Sequence, residues 1–221
     1  MSISKEQQEK NKMEYLSMFS YLGIPEEKVE RFRNWVLKTD FFTAPASIKG
    51  SLACEGGLCQ HTLKVVKLAV DLFKVVYPQS TSLGDSNGHD VVLASLLHDI
   101  SKTNYYETYV SNKKVYSENG SKFDEQGRFD WVAVSAKNQK EPSDRFVYAS
   151  LSQTSEFMAR QFFDVNLEVS CAILHHKGPY DENTSTGSQL GTIFSAHPLA
   201  SILHAADFLA THIQTGEDET A

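Results

Sequence analysis

No stretch of the 221-residue chain approaches the roughly 18 to 20 uninterrupted apolar residues of a membrane span, which argues against a membrane protein. The opening MSISKEQQEK is too polar for a secretory leader, so the expected compartment is the cytoplasm. Cysteine is scarce. Cys54, Cys59 and Cys171 make an odd count without Cys-x-x-Cys spacing, which speaks against a disulfide framework and for reduced thiols. Basic charge is also short: 21 Lys and Arg face 28 acids, for a net charge of −7. Long nucleic acids are bound through basic patches that neutralise phosphates, so this balance argues against them and suits a small phosphorylated partner, a nucleotide among the possibilities. Internal repeats and low-complexity tracts are absent, and no pattern specifies an oligomeric state.

Apolar residues make up 41% of the chain, enough for a sizeable core. Helical spacing of apolar positions predicts helices over residues 4–20 and 25–38, the second opened by Pro25. Pro45, Gly50, Gly56 and Gly57 mark a loop that delivers the chain into a helix near Leu58 or His61, ending before Pro78. A polar loop over 79–88 leads to the apolar run 91–100. From Tyr105 to Ala136 aromatic and β-branched residues alternate with polar ones, with turn signals at Ser111-Asn112, Asn119-Gly120 and Gln126-Gly127. This predicts a small β excursion of two or three strands. Helices are expected again over 143–163, 166–176 and 198–213, with Ser143 and Asn166 as N-caps, before a frayed acidic tail from 215.

The strongest chemical signal is the doublet His98-Asp99, followed by Ile100-Ser101-Lys102, at the end of an apolar run. Burying such a pair is costly unless a metal or another charge compensates it. On a continuing helix, Lys102 would share a face with His98 and stand near whatever that histidine binds. A second signal is His204-Ala205-Ala206-Asp207. Three residues apart, its histidine and aspartate lie about 60° from each other around a helix, in an otherwise apolar segment. His61 opens an amphipathic helix after Gly56-Gly57-Leu58-Cys59-Gln60.

In order, His61, His98-Asp99 and Asp207 resemble the pattern of the HD superfamily of metal-dependent phosphohydrolases, over roughly residues 50 to 213. The resemblance implies a mainly α fold, a helical bundle here carrying a small β-hairpin insertion. The organisation that follows is N-terminal helices over 1–48 packed on the core, an HD domain over 49–215 with its β excursion at about 105–136, and a tail over 216–221. It also implies one metal held by His61, His98, Asp99 and Asp207. His175-His176 falls where many relatives carry histidines that hold a second metal or touch phosphate. Two-metal relatives carry a further histidine before that pair, whereas no histidine occurs here from 100 to 174 and the matching segment reads Ala149-Ser150-Leu151-Ser152-Gln153-Thr154-Ser155. His175 and His176, about 100° apart on a helix, cannot both face one site, and His176 has the better claim.

Plainer readings stand beside these. His98-Asp99 could be a helix-end pair bonded to backbone, and His61 a histidine near a helix start. His204 divides evenly between lining a substrate pocket and being a satisfied core histidine. His89-Asp90 reads as a helix start, and Cys54, Cys59 and His61 fall short of the four ligands of a structural zinc site. The aromatics of 105–131 read as hairpin packing before a substrate clamp. An imidazole-rich set fits Mn, Fe, Co, Ni or Zn better than Mg or Ca. On this reading Asp99 orients or deprotonates a water, while Lys102 and His176, with His175 and His204 as further candidates, meet the phosphate. The alternatives are a sensory or nucleotide-binding module without turnover, and a diiron oxygenase of the same scaffold.

Overall fold

Helix starts along the chain are set by short polar side chains, prolines and one crowded glycine. The structure is a computed structural model that describes residues 3–79, 86–146, 149–181 and 187–213. Helix α1 (Lys5–Met18) begins where the Ser4 hydroxyl accepts the Gln7 amide at 3.2 Å. Pro25 precedes α2 (Glu26–Val36), whose first turn carries Glu26 and Glu27 against the positive helix end. Helix α3 (Gly57–Val76) starts under steric constraint: a Cβ on Gly57 would lie 2.1 Å from the Leu52 carbonyl oxygen. Then come α4 (Ser86–Leu97), strands β1 (Tyr106–Tyr116), β2 (Lys122–Asp124) and β3 (Gly127–Gln139), and helices α5 (Leu151–Phe162), α6 (Leu167–His175), α7 (Gly187–Ala196) and α8 (Pro198–His212).

The expectation of a helical bundle with a small β-hairpin is corrected by the sheet. Strand β1 pairs antiparallel with β3 along all of its 11 residues, from Tyr106 opposite Gln139 to Tyr116 opposite Phe129. Strand β2 joins the other edge of β3, giving the order β1-β3-β2. The architecture is thus a helical body carrying a three-stranded antiparallel sheet. The misreading lay at Ser111-Asn112, which has turn chemistry but sits mid-strand opposite Val134 and Ala133. Chain reversal comes later, at Asp124–Gly127, where Gly127 has φ +123° and the Asp124 carboxylate accepts the Gln126 amide at 2.9 Å.

Two other expectations change. The helix expected from Ser143 starts at Ser150. Ser143 lies in a 3-10 turn (Pro142–Asp144) and its hydroxyl contacts Asp144, whereas Ser150 and Gln153 form a reciprocal capping box that satisfies two backbone amides. Helix α7 was not anticipated, because Gly187 and Gly191 blur its periodicity. The acidic tail over 216–221 lies outside the described residues.

One continuous apolar core joins α1 and α2 to the later helices. Its aromatic part packs Tyr15 against Phe41 at 4.7 Å and Phe19 against Phe32 at 4.9 Å, both tilted, and stacks Phe163 on Phe19 at 5.6 Å. The Tyr15 hydroxyl donates to the Leu96 carbonyl at 3.1 Å, which pins the end of α4 just before the His-Asp doublet. The sheet stands apart from this core: Val110 and Phe123 are about three-quarters exposed. No single helix among the described residues is long and apolar enough to cross a membrane.

Candidate metal centre

Four helices deliver the titratable side chains to one buried place. The first turns of α3 bring His61, the exit of α4 brings His98 and Asp99, the exit of α6 brings His176, and α8 brings Asp207. One ligand atom from each of His61, His98, Asp99 and Asp207 lies within 4.8 Å of all the others, so the four could hold a metal ion. His61 Nε2 is 3.0 Å from Asp207 Oδ1 and 3.5 Å from Asp99 Oδ2, while His98 Nε2 is 3.4 Å from Asp99 Oδ2. His176 Nε2, 3.6 Å from Asp99 Oδ1, stands at the edge of the same cluster.

Backbone contacts fix how the histidines present themselves. His98 Nδ1 lies 2.7 Å from the Ser95 carbonyl, and His176 Nδ1 lies 2.7 Å from that of Ile173. A carbonyl only accepts, so each Nδ1 carries a proton, and in the neutral ring each Nε2 turns a lone pair into the cluster. Both Nε2 atoms, together with Asp99 Oδ1, are buried without a hydrogen-bond partner. Native interiors rarely leave three such atoms unsatisfied in one place, and this donor set suits a borderline divalent ion.

The charges are strongly coupled. Burial would push the Asp99 carboxyl up, but Lys102, His98 and His176 outweigh it and hold it well below the usual carboxylate range. Asp207 is lowered in the same sense: burial is outweighed by its hydrogen bond with His61 and the charges of the neighbouring histidines. Burial opposes charge on His98, yet Asp99 and Asp207 raise its pKa; burial lowers that of His176 and keeps it neutral.

Lys102 is not where helical continuation puts it. Helix α4 stops at Leu97, Asp99 takes φ −111° and ψ 18°, and Ile100–Lys102 tightens into a 3-10 turn. Lys102 Nζ therefore reaches back to Asp99 Oδ2 at 2.6 Å instead of standing over His98. Burial works against its ammonium, but Asp99 raises its pKa above the ordinary lysine value. Helix α5 clamps this turn: Ser155 Oγ accepts the Ser101 amide at 3.2 Å and donates to Ser101 Oγ at 2.9 Å. Ser155 lies in the segment that carries no histidine, and there it supports the doublet.

His204 does not join the cluster. Its Nδ1–H donates to the His176 carbonyl at 2.7 Å and its ring stacks on Phe194 at 5.3 Å, so it is a positioning residue for His176. Gly178 makes this fit possible, with φ +53° and an added Cβ only 2.6 Å from His204 Cε1. His175 is also not at the site. It is half-buried, its charged neighbours are Asp181 and His197, and burial lowers its pKa. Cys59, two residues before His61, has its thiol pushed up to about 12, chiefly by burial, and so stays protonated.

Two cations escaped the sequence reading. Lys177, the residue after His176, and Arg145 line a cavity of about 260 Å³. Burial lowers the pKa of Lys177, while Asp99 and Asp207 act on it in the opposite direction, which places it within electrostatic reach of the cluster. Its position directly after His176 was the available signal; Arg145 offered none. A second cavity, of about 220 Å³ and lined by Phe73, Val91, Leu199 and Ile202 among others, is mainly apolar. Comparison with family models, with curated proteins and with solved structures finds no match.

Proposed function

We propose that the chain is a metal-dependent phosphohydrolase of the HD type, acting on a nucleotide or another small phosphate ester or diester. The observation that supports this most is the group of orphaned buried atoms, His98 Nε2, His176 Nε2 and Asp99 Oδ1, beside the His61 and Asp207 side chains. His61, His98, Asp99 and Asp207 would hold one divalent ion per chain, and their chemistry fits Mn, Fe, Co, Ni or Zn. Such an ion, when bound, supplies Lewis acidity and lowers the pKa of water at the site.

The remaining work falls to side chains. Asp99 Oδ1 has no protein donor and is free to orient the attacking water. Lys102, fixed at 2.6 Å from Asp99 Oδ2, keeps a positive charge where the phosphoryl oxygens gather negative charge. His176, held neutral by burial, presents an Nε2 acceptor to a hydroxyl or water at the cluster's edge. A diiron oxygenase needs more ligands, and the described residues gather only this one group. The second reading is a module that holds a nucleotide without turnover, against which Lys102 beside Asp99 and the complete quartet speak for hydrolysis.

The test is phosphate release from a panel of nucleotides and phosphodiesters by metal-stripped and Mn-reconstituted protein. Metal-dependent turnover that disappears in Asp207→Ala is expected. Tight nucleotide binding with no turnover on any substrate would replace this reading with the second.

A further inference from the structure

We propose that the cavity walled by Arg145 and Lys177 is a second anion site, which takes a phosphate group of the substrate other than the one hydrolysed. The inference rests on the phosphohydrolase reading and narrows its substrate to small molecules carrying two phosphates.

The cations reach the cavity from separate elements, Arg145 from the extended stretch before α5 and Lys177 from the turn after α6. Arg145 lies over the Tyr105 ring at 5.0 Å and donates to the Tyr105 hydroxyl at 3.0 Å and to Gln139 Oε1 at 3.2 Å. These contacts hold the guanidinium plane in place and leave its Nε buried with no acceptor. Lys177 Nζ has no hydrogen bond or ion pair among the described residues. Asp181 is the single acid lining the cavity, so two cations face one carboxylate. Ser150, the N-cap of α5, also lines the cavity, which places the positive end of that helix at its wall. Unsatisfied donors and surplus positive charge of this kind call for an acceptor-rich ligand.

The shape favours a compact anion over a nucleobase. Tyr105 is covered by Arg145 and by Tyr106, whose ring is 4.9 Å away, and Tyr180 stacks on Phe208 at 6.3 Å, so both aromatic rings of the cavity already have partners. The cavity also adjoins the metal centre. Lys177 follows His176, whose Nε2 is 3.6 Å from Asp99 Oδ1, and Tyr105 follows Lys102 by three residues. On this proposal a molecule with one phosphate at Asp99 and Lys102 places its second phosphate in this cavity.

The test compares adenosine 3′,5′-bisphosphate with adenosine 5′-monophosphate by calorimetric titration of the full chain. The proteins are wild type, Arg145→Gln, Lys177→Gln, Arg145→Lys and Asp207→Ala. Wild type should prefer the bisphosphate by about tenfold or more, and each glutamine variant should cut that ratio about tenfold, the scale of one charge-assisted hydrogen bond. Arg145→Lys, which keeps the charge without the planar fork, should retain part of the ratio. Cooperative unfolding and metal content are recorded on the same samples, so that a misfolded variant is recognised and the other cation decides. Equal affinity for the two ligands in wild type, or an unchanged ratio in both glutamine variants, overturns the proposal. If the monophosphate is hydrolysed while the wild-type ratio is near one, the hydrolase reading stands and this site falls. If the ratio responds to Arg145 and Lys177, persists in Asp207→Ala, and no phosphate is ever released, the anion site stands and the hydrolase reading falls.

Discussion

Replacing Lys102 with alanine should weaken the metal-free protein and at the same time tighten its hold on a metal. The ammonium lies 2.6 Å from Asp99 Oδ2, with 14% and 2% of the two side chains exposed. Removing one partner of a buried pair costs about 3–5 kcal/mol, because the other charge is left behind. Asp99 keeps His98 at 3.4 Å, whose pKa the two acids raise, so the lower end, about 3 kcal/mol, applies to the metal-free form. With an ion in place the carboxylate stays compensated, and the loss shrinks to the packing of the lysine stem, about 1 kcal/mol. The difference of about 2 kcal/mol must then appear as metal affinity, roughly 30-fold tighter in the variant. Catalysis should move the other way. Loss of one preorganised charge near the phosphoryl group lowers kcat/KM roughly 10²- to 10³-fold. Denaturant unfolding with and without metal, competition against a chelator and steady-state kinetics on one set of preparations give all three quantities. Equal destabilisation of both forms, or weaker metal binding, would refute the idea that Lys102 and the metal compensate the same carboxylate. Lys102→Arg should keep most of the metal-free stability but recover activity only in part, since a planar fork does not replace a point charge.

Asp207→Ala and His98→Ala should each abolish metal uptake, and elemental analysis showing equal metal in wild type and Asp207→Ala would contradict the ligand set. Gly178→Ala adds a left-handed backbone penalty of about 1 kcal/mol to a contact of 2.6 Å with His204, so about 2–4 kcal/mol should be lost in denaturant unfolding. A change below about 0.5 kcal/mol would mean that the turn simply relaxes. Asp99 and Asp207 both have lowered folded-state pKa values, so their contribution is present above the unfolded carboxylate value of about 4 and is lost as pH falls through the folded values. Metal-free Lys102→Ala should therefore begin to unfold at a higher pH than wild type, and an unchanged acid transition would count against the coupling. Shortening residues 107–138 to a tight turn should alter substrate preference more than stability, because the outer sheet is largely exposed while its base at Tyr105 lines the anion cavity. Kinetics untouched on every substrate would make the sheet irrelevant to the site.

Three of the four residues of the candidate metal cluster were legible in the sequence for a reason that does not depend on exact geometry, while His61 entered only through the resemblance to the HD pattern. His98-Asp99 and Asp207 sit in runs apolar enough to be core, and a buried carboxylate must meet a positive partner somewhere. Which atoms meet was not legible. The Lys102 expectation assumed that α4 continues, whereas the helix stops at Leu97 and the difference of one turn redirects the ammonium from His98 to Asp99. His175 and His176 part company, His176 at Asp99 and His175 towards Asp181 and His197, because two side chains about 100° apart cannot share a target whatever the helix does at its end. Turn chemistry misled at Ser111-Asn112 because local preference is a weak force against a full ladder of cross-strand bonds. Ser150 could have been preferred to Ser143 as an N-cap, since only Ser150 has a glutamine three residues on.

The placement of the histidines at helix exits has a physical cause that links fold to site. The last four carbonyls of a helix lack intrahelical partners and must find donors. His98 meets the Ser95 carbonyl at the end of α4 and His176 meets that of Ile173 at the end of α6, each from three residues further on. The same bond that satisfies the helix end holds the proton on Nδ1 and aims Nε2 inward, so terminating the helix and preparing the ligand are one event. The relay goes one step further at α6, where His204 from α8 donates to the His176 carbonyl and is itself wedged by Gly178. A helix extended by one residue at either exit would close these carbonyls with backbone amides and turn the imidazoles away. The site thus depends less on the identity of the residues around it than on where α4 and α6 stop. At α4 the stop is held by tertiary contacts, Tyr15 on Leu96 and Ser155 on Ser101, made by residues more than fifty positions away in the chain, and at α6 by His204 on the His176 carbonyl.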